Sequence, residues 1–202
     1  MLIRSVTLTL LIGITVAVKA QRQWTLEKES DGVKVYLKEV PGYQLKAFKA
    51  LVYIAAPLDS VYGYLLKFEE RTKWIYGTSE AKLLHKVEGK EYIMYSVYDA
   101  PWPVTDRDMV IKFLTGPPER PEERLIQYTA VPHYVPVKKD LVRIEKSQGS
   151  WSLRQEGQAV EVIFEGFTSN AGSLPDWVVN QVVVVNPYES LRNLRRKLQP
   201  EK

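Results

Sequence analysis

The chain of 202 residues has no cysteine and only two histidines. Lack of cysteine excludes disulfides, thiolate metal sites and a thiol nucleophile, so the fold must stand on its hydrophobic core alone. His85 and His133 lie far apart in sequence and on different predicted elements, one a strand surface and the other a proline-bounded loop. No HExxH, GxSxG, phosphate loop or cluster of metal ligands occurs, so no motif calls for catalysis, a metal or a cofactor, and the chain reads as a non-enzyme. Charge of one sign is scarce as well. Twenty-eight basic side chains oppose twenty-four acidic ones, and Arg4 and Lys19 precede residue 21. The remainder carries a net charge of about +2, which gives no footprint for nucleic acid.

Long hydrophobic runs are missing too. The uncharged stretch Val6 to Val18 is thirteen residues, short of the roughly twenty that cross a bilayer. Preceded by Arg4 and followed by Val18-Lys19-Ala20, it has the layout of a signal peptide cleaved after Ala20, with a retained anchor as the alternative. No cysteine follows for lipid attachment. The expectation is an exported, periplasmic chain of residues 21 to 202 forming one domain, long enough to bury its own core.

What is present is a short set of periodic patterns. Val33, Val35 and Leu37 alternate with Lys34, Tyr36 and Lys38, and Pro41-Gly42 turns the chain into a second strand from Leu45 to Ile54. Pro57 opens a helix whose stripe is Leu58, Val61, Tyr62, Leu65 and Leu66, followed by a short turn carrying Trp74. Strands are predicted over 81–87, 92–98, 109–114, 125–130, 141–146, 150–153 and 159–167, with the polar, proline-rich 116–123 as a surface loop. Their regular spacing argues for an antiparallel sheet, and the segregated helices for an α+β fold.

The stretch from Gly172 to Leu198 is the most informative. At helical spacing Leu174, Trp177, Val178, Gln181, Val182 and Val185 share a face, and Tyr188, Leu191, Leu194 and Leu198 continue a stripe. Ser173 is a candidate cap. Asn186, Pro187 and Glu189 read as an N-cap, a first-turn proline and a third-position acid, which predicts a kink between two half-helices. The consecutive valines leave a buried strand ending at Asn186-Pro187 as the alternative. A helix apolar on more than one side points to a ligand between it and a curved sheet. Arg192, Arg195, Arg196 and Lys197 flank the last stripe, as a solvated helix end or as a patch for anionic lipid headgroups.

In Pro101 to Val110, PWPVTDRDMV, strand alternation points Arg107 away from Asp106 and Asp108 and toward the side of Met109. An exposed Arg among acids and an inward Arg are both compatible with that pattern. The order GVKVY, APLDSVY, RTKW, PWPVTDRDMV, VRIEKSQGSW, GSLPDWVVNQ and YESLRNLRRKL resembles the START lipid-transfer domain over residues 24 to 198. The resemblance implies a helix-grip fold, a curved antiparallel sheet around a long C-terminal gate helix, with a hydrophobic tunnel for one lipid. It also implies that Arg107 lies in or near the cavity and orients a polar group or a buried acid. Candidate lining residues are Trp177, Val178, Gln181 and Val182 on the gate, and Trp74, Tyr95, Tyr128 and Trp151 elsewhere, although aromatics in sheets also serve as plain core.

The expected function is therefore binding and transfer of a lipid or other hydrophobic small molecule by a monomer in transient membrane contact, without nucleic acid, metal or cofactor. A cyclase-like helix-grip enzyme acting on a hydrophobic substrate and a protein-interaction module with a filled core are the alternatives.

Overall fold

The computed structural model describes residues 23–169 and 174–199, and the segment read as a signal peptide and the Ser173 cap lie outside the described residues. In chain order these residues form β1 (Thr25–Ser30), β2 (Val33–Lys38), β3 (Ala47–Ile54), α1 (Leu58–Leu65), a 3-10 turn (Phe68–Lys73), β4 (Thr78–Val87), β5 (Glu91–Tyr98) and β6 (Arg107–Thr115). There follow β7 (Glu123–Ala130), β8 (Val142–Arg143), β9 (Ser147–Glu156), β10 (Ala159–Thr168), α2 (Asp176–Asn180), a π-helical turn (Gln181–Val185) and α3 (Asn186–Leu198). The strands build one open, curved sheet in the order β1-β2-β3-β10-β9-β7-β6-β5-β4, antiparallel throughout except for short β8, which pairs in parallel with β6.

Alternation sets the faces. Val33, Val35 and Leu37 are buried while the residues between them are not, and Asp31 and Gly32, both at positive φ, make the hairpin that joins β1 to β2. Strand β1 had no periodic signal because its residues are almost all exposed. Of the predicted strand 141–146 only Val142 and Arg143 form a strand, paired with Arg107 and Asp108 of β6.

Strand β5 is buried on both faces. Tyr92 and Met94 join the main core inside the curve, whereas Ile93, Tyr95 and Val97 join Val110 in a smaller outer core roofed by Val131, Val135 and Leu141. The Asp108–Arg143 pair holds that roof. Arg143 donates from Nε to Oδ1 at 2.8 Å and from Nη2 to Oδ2 at 2.9 Å, and its remaining donors reach the carbonyls of Pro132, Val135 and Pro136. Every N–H of the Arg143 guanidinium is thus used, which is the condition under which a buried pair is tolerated.

A second close fit lies under Tyr128. Gly149 and Gly166 face each other across β9 and β10, and a Cβ on either would sit 2.5 Å or 1.9 Å from the Tyr128 hydroxyl. The paired glycines form a notch that receives the ring's polar end, which lies 3.4 Å from the Glu165 carbonyl.

The C-terminal helix does not break at Asn186. That residue has helical angles, φ −59° and ψ −51°, so it is no N-cap, and its N–H donates to the Gln181 carbonyl five residues back. Pro187 explains the change: it has no N–H, and its ring crowds the carbonyl one turn earlier, so the ladder widens by one residue. The valines are helical rather than extended because Val183 and Val184 are buried against Leu37, Leu45 and Phe48, and tertiary burial outweighs their β preference. Beyond the widened turn, Leu191 and Leu194 are fully buried, and the Tyr188 hydroxyl donates to Asp31 at 2.8 Å in the β1–β2 turn.

Two outcomes follow. Asp108→Asn leaves Arg143 buried beside a neutral group and lowers unfolding free energy by about 3–5 kcal/mol, read from urea denaturation; an unchanged midpoint would contradict the clamp. Gly166→Ala forces Tyr128 to move and costs about 1–3 kcal/mol, and adding Tyr128→Phe recovers most of it; equal loss in both chains would place the strain elsewhere.

Candidate functional site

Between the concave face of the sheet and the helical roof lies a cavity of about 510 Å³. Its floor follows from alternation on β6: Arg107, Met109, Ile111 and Phe113 all face it, while Asp108 and Val110 point to the outer core. Met94 and Tyr98 of β5 and the stacked pair Trp151 and Phe164, 3.9 Å between centroids, complete the floor. The roof is Leu174, Val178, Gln181 and Val182, continued by Asn186, Pro187 and Ser190.

The free end of the roof is clasped by one side chain. Gln44 donates from Nε2 to the Leu174 carbonyl at 2.8 Å and accepts from the Leu174 N–H at 3.4 Å. Gln181 donates to the Asn186 side chain at 3.5 Å, so the polar groups of the roof are paired across the π turn.

Of the residues expected at the site, the structure brings Arg107, Tyr128, Trp151, Val178, Gln181 and Val182 to the cavity wall. Three others are elsewhere. Trp177 is 50% exposed, because inward positions 178, 181 and 182 define a helix face that leaves it turned about 100° away. Tyr95 is buried in the outer core, one position out of phase with the inward Met94, and Lys138 sits 4.4 Å over its ring. Trp74 is core, packed edge-on to Trp151 at 5.6 Å, and is not part of the cavity wall.

Arg107 stands at the mouth, beside Ala100 and Pro101, half-buried, and bonds back to the Thr105 carbonyl. Burial lowers its pKa, with Asp106 opposing. Asp106 itself turns away to accept the Ala100 N–H at 2.8 Å, which pins the loop of residues 99–106. Among the described residues Arg107 forms no ion pair, so the buried acid implied for it is not there.

The residue missed is Arg71. It lines the cavity, is 5% exposed, and forms no ion pair among the described residues. Its Nη2 donates to the Leu65 carbonyl at 3.3 Å, its Nε has no partner, and its guanidinium lies 4.5 Å from the Phe113 ring centroid and 5.0 Å from that of Phe68. Burial pulls its pKa down to about 10, with the Tyr98 and Tyr128 hydroxyls opposing, so it stays charged at neutral pH. Burial likewise pushes the Tyr128 hydroxyl far above its ordinary range, with Tyr98 adding to the rise and Arg71 opposing it. A sequence signal did exist: Phe68, Arg71 and Trp74 recur every third residue, and in a 3-10 turn residues three apart stack on one side.

No family model matches the chain. It is 38% identical over 174 residues to an uncharacterized protein of Pseudomonas aeruginosa, covering 85% of each chain. It superposes on the crystal structure of a STAR-related lipid transfer protein from Xanthomonas axonopodis with a TM-score of 0.79 and 33% identity, over 87% of this chain and 98% of that one. Human StAR-related lipid transfer protein 5 shares the fold at 17% identity and TM-score 0.73, over 87% and 86% of the two chains. An aromatase/cyclase from a Streptomyces species shares it more loosely, at 16% identity and TM-score 0.55, over 76% and 93%. Sheet order, helical roof, enclosed apolar space and the extent of the bacterial match together place the chain in the STAR-related lipid transfer (START) family, with its helix-grip fold.

Proposed function

We propose that this protein is an exported carrier that holds one hydrophobic molecule beneath the roof of α2, the π turn and α3 and exchanges it at a membrane surface. The observation that carries the reading is the cavity itself: about 510 Å³ of space walled by Met94, Met109, Ile111, Phe164, Val178 and Val182. A protein-interaction module would fill that space. Each methylene moved from water into it is worth about 0.8 kcal/mol, enough for a chain to be held firmly in water and released where a bilayer competes.

A carrier also fits the chemistry better than an enzyme. No histidine lines the cavity, and its one carboxylate, Asp99, is an exposed residue at the rim. Burial holds the Tyr128 hydroxyl far above its usual range, so it stays protonated near neutral pH. Export to the periplasm rests on the layout of residues 1–20, and action as a monomer on a cavity that one chain encloses.

The mouth supplies the membrane contact. Trp102 is 91% exposed at the tip of the loop whose Ala100 and Pro101 line the cavity, and half-exposed Trp177 adjoins the lining residue Val178. Indole rings settle at the boundary between headgroups and chains, so these two would seat the mouth against a bilayer.

Val182→Trp places an indole in the cavity and reduces uptake of a fluorescent single-chain lipid probe at least about tenfold, with far-UV circular dichroism unchanged. Undiminished uptake would contradict the site beneath the roof. Trp102→Ser slows transfer of the same probe between vesicles and leaves its equilibrium binding in solution unaltered; an unchanged transfer rate would remove the loop from the exchange step.

A further inference from the structure

Around the π turn the helical roof has more hydrogen-bond acceptors than its own main chain can satisfy. Asn186 gives its N–H to the Gln181 carbonyl, and α3 begins with the Val185 carbonyl accepting from Glu189. Between these two bonds stand the carbonyls of Val182, Val183 and Val184. The N–H left for them is that of Tyr188, because Pro187 has none. Tyr188 reaches Val184, four residues back, or Val183, five back. In either case Val182 is left without a helical donor.

The position of that carbonyl matters. In a helix a carbonyl lies beneath the residues four and five positions on, which for Val182 are Asn186 and Pro187. Both line the cavity, as does Gln181. The bond from Gln181 Nε2 to Asn186 Oδ1 at 3.5 Å uses one end of each amide, and among the described residues the Asn186 Nδ2 group has no protein partner. Elsewhere on the wall the neutral hydroxyls are engaged: Ser147 pairs with Thr168 at 2.9 Å, and Ser190 accepts the Tyr76 N–H at 3.0 Å. The widened turn thus offers a bare acceptor and a free donor within one turn of helix.

Resting on the carrier reading above, we infer that the π turn is a hydroxyl-binding site: the cargo is an uncharged molecule with an apolar body whose hydroxyl donates to the Val182 carbonyl and accepts from Asn186 Nδ2. A hydroxyl has both the proton and the lone pairs that this pair of groups requires. An ether, an ester or an ionised carboxylate brings acceptors only, and leaves the carbonyl unpaired under the roof. Pro187 is then a specificity-determining residue, since its missing N–H is what keeps the carbonyl available.

The test is displacement of a fluorescent single-chain lipid probe from residues 21 to 202 by 1-decanol and by decyl methyl ether, each affinity divided by that ligand's partition coefficient from water into hexadecane. The division removes the difference in hydrophobicity, and the alcohol then exceeds the ether by at least about tenfold. Pro187→Ala supplies the missing N–H and lets the ladder close, and Asn186→Leu removes the donor; each lowers the alcohol-to-ether ratio by at least about threefold. A ratio cancels any loss common to both ligands, thermal melts establish that the variants are folded, and the ratio of the unaltered chain stands independently of them. Equal normalised binding of alcohol and ether, or an alcohol preference that survives both substitutions and so belongs to another part of the wall, would overturn the inference and leave the carrier reading intact. Failure of the chain to take up the probe or either ligand would overturn both.

Discussion

The seating of α3 across β2 and β3 determines what the rest of the molecule can be. Leu191 and Leu194 enter the core without remainder, Tyr188 is tied to Asp31, and Arg192 bridges Glu189 at 2.5 Å and Asp31 at 3.8 Å. That end of the helix is fixed by apolar burial and by hydrogen bonds on the same few residues. The preceding turn and α2 are held far less, by Val183 and Val184 against one small cluster and by the Gln44 clasp on Leu174. A cover anchored at one end and lightly clasped at the other is what an enclosed apolar space needs if its contents are to change. The π turn lies at the junction between these two regimes, where Pro187 has already removed a helical hydrogen bond.

The treatment of charge separates structural from ligand-facing polarity. On the convex side, Asp108 and Arg143 neutralise one another, and Arg143 gives its remaining donors to backbone carbonyls. On the concave side, Arg71 and Arg107 face the cavity from opposite ends of one strand row, and neither meets a carboxylate among the described residues. The same two-residue motif, Arg107-Asp108, therefore serves both faces of β6: the Asp builds the outer core and the Arg marks the mouth.

Sequence reasoning reached the architecture because the features that specify it are periodic. Two-residue alternation on β2 and β6 gave the faces correctly, and the placement of Arg107 with Met109 follows from nothing else. The glycine of the QGSW segment is likewise explained, since Gly149 leaves room for Tyr128 while Trp151, two positions on, stacks on Phe164. What was not legible depended on local geometry that composition does not announce. Strand β1 lacks a buried face, and Arg71 drew no reading because its burial depends on the turn around it being 3-10. Trp177 and Tyr95 were misplaced by a single step of phase, one residue on a helix and one on a strand, and a single step moves a side chain to a different environment. The supposed kink at Asn186 became a widened turn, because proline can be accommodated by a π turn as well as by a break.

The central claim is that the space between sheet and roof carries cargo. Native mass spectrometry of residues 21 to 202, purified without detergent and followed by organic extraction, addresses it most directly. The account predicts one ligand mass per chain, released on extraction as a hydrophobic small molecule. A mass equal to the bare polypeptide that stays so after incubation with mixed membrane lipids would contradict it.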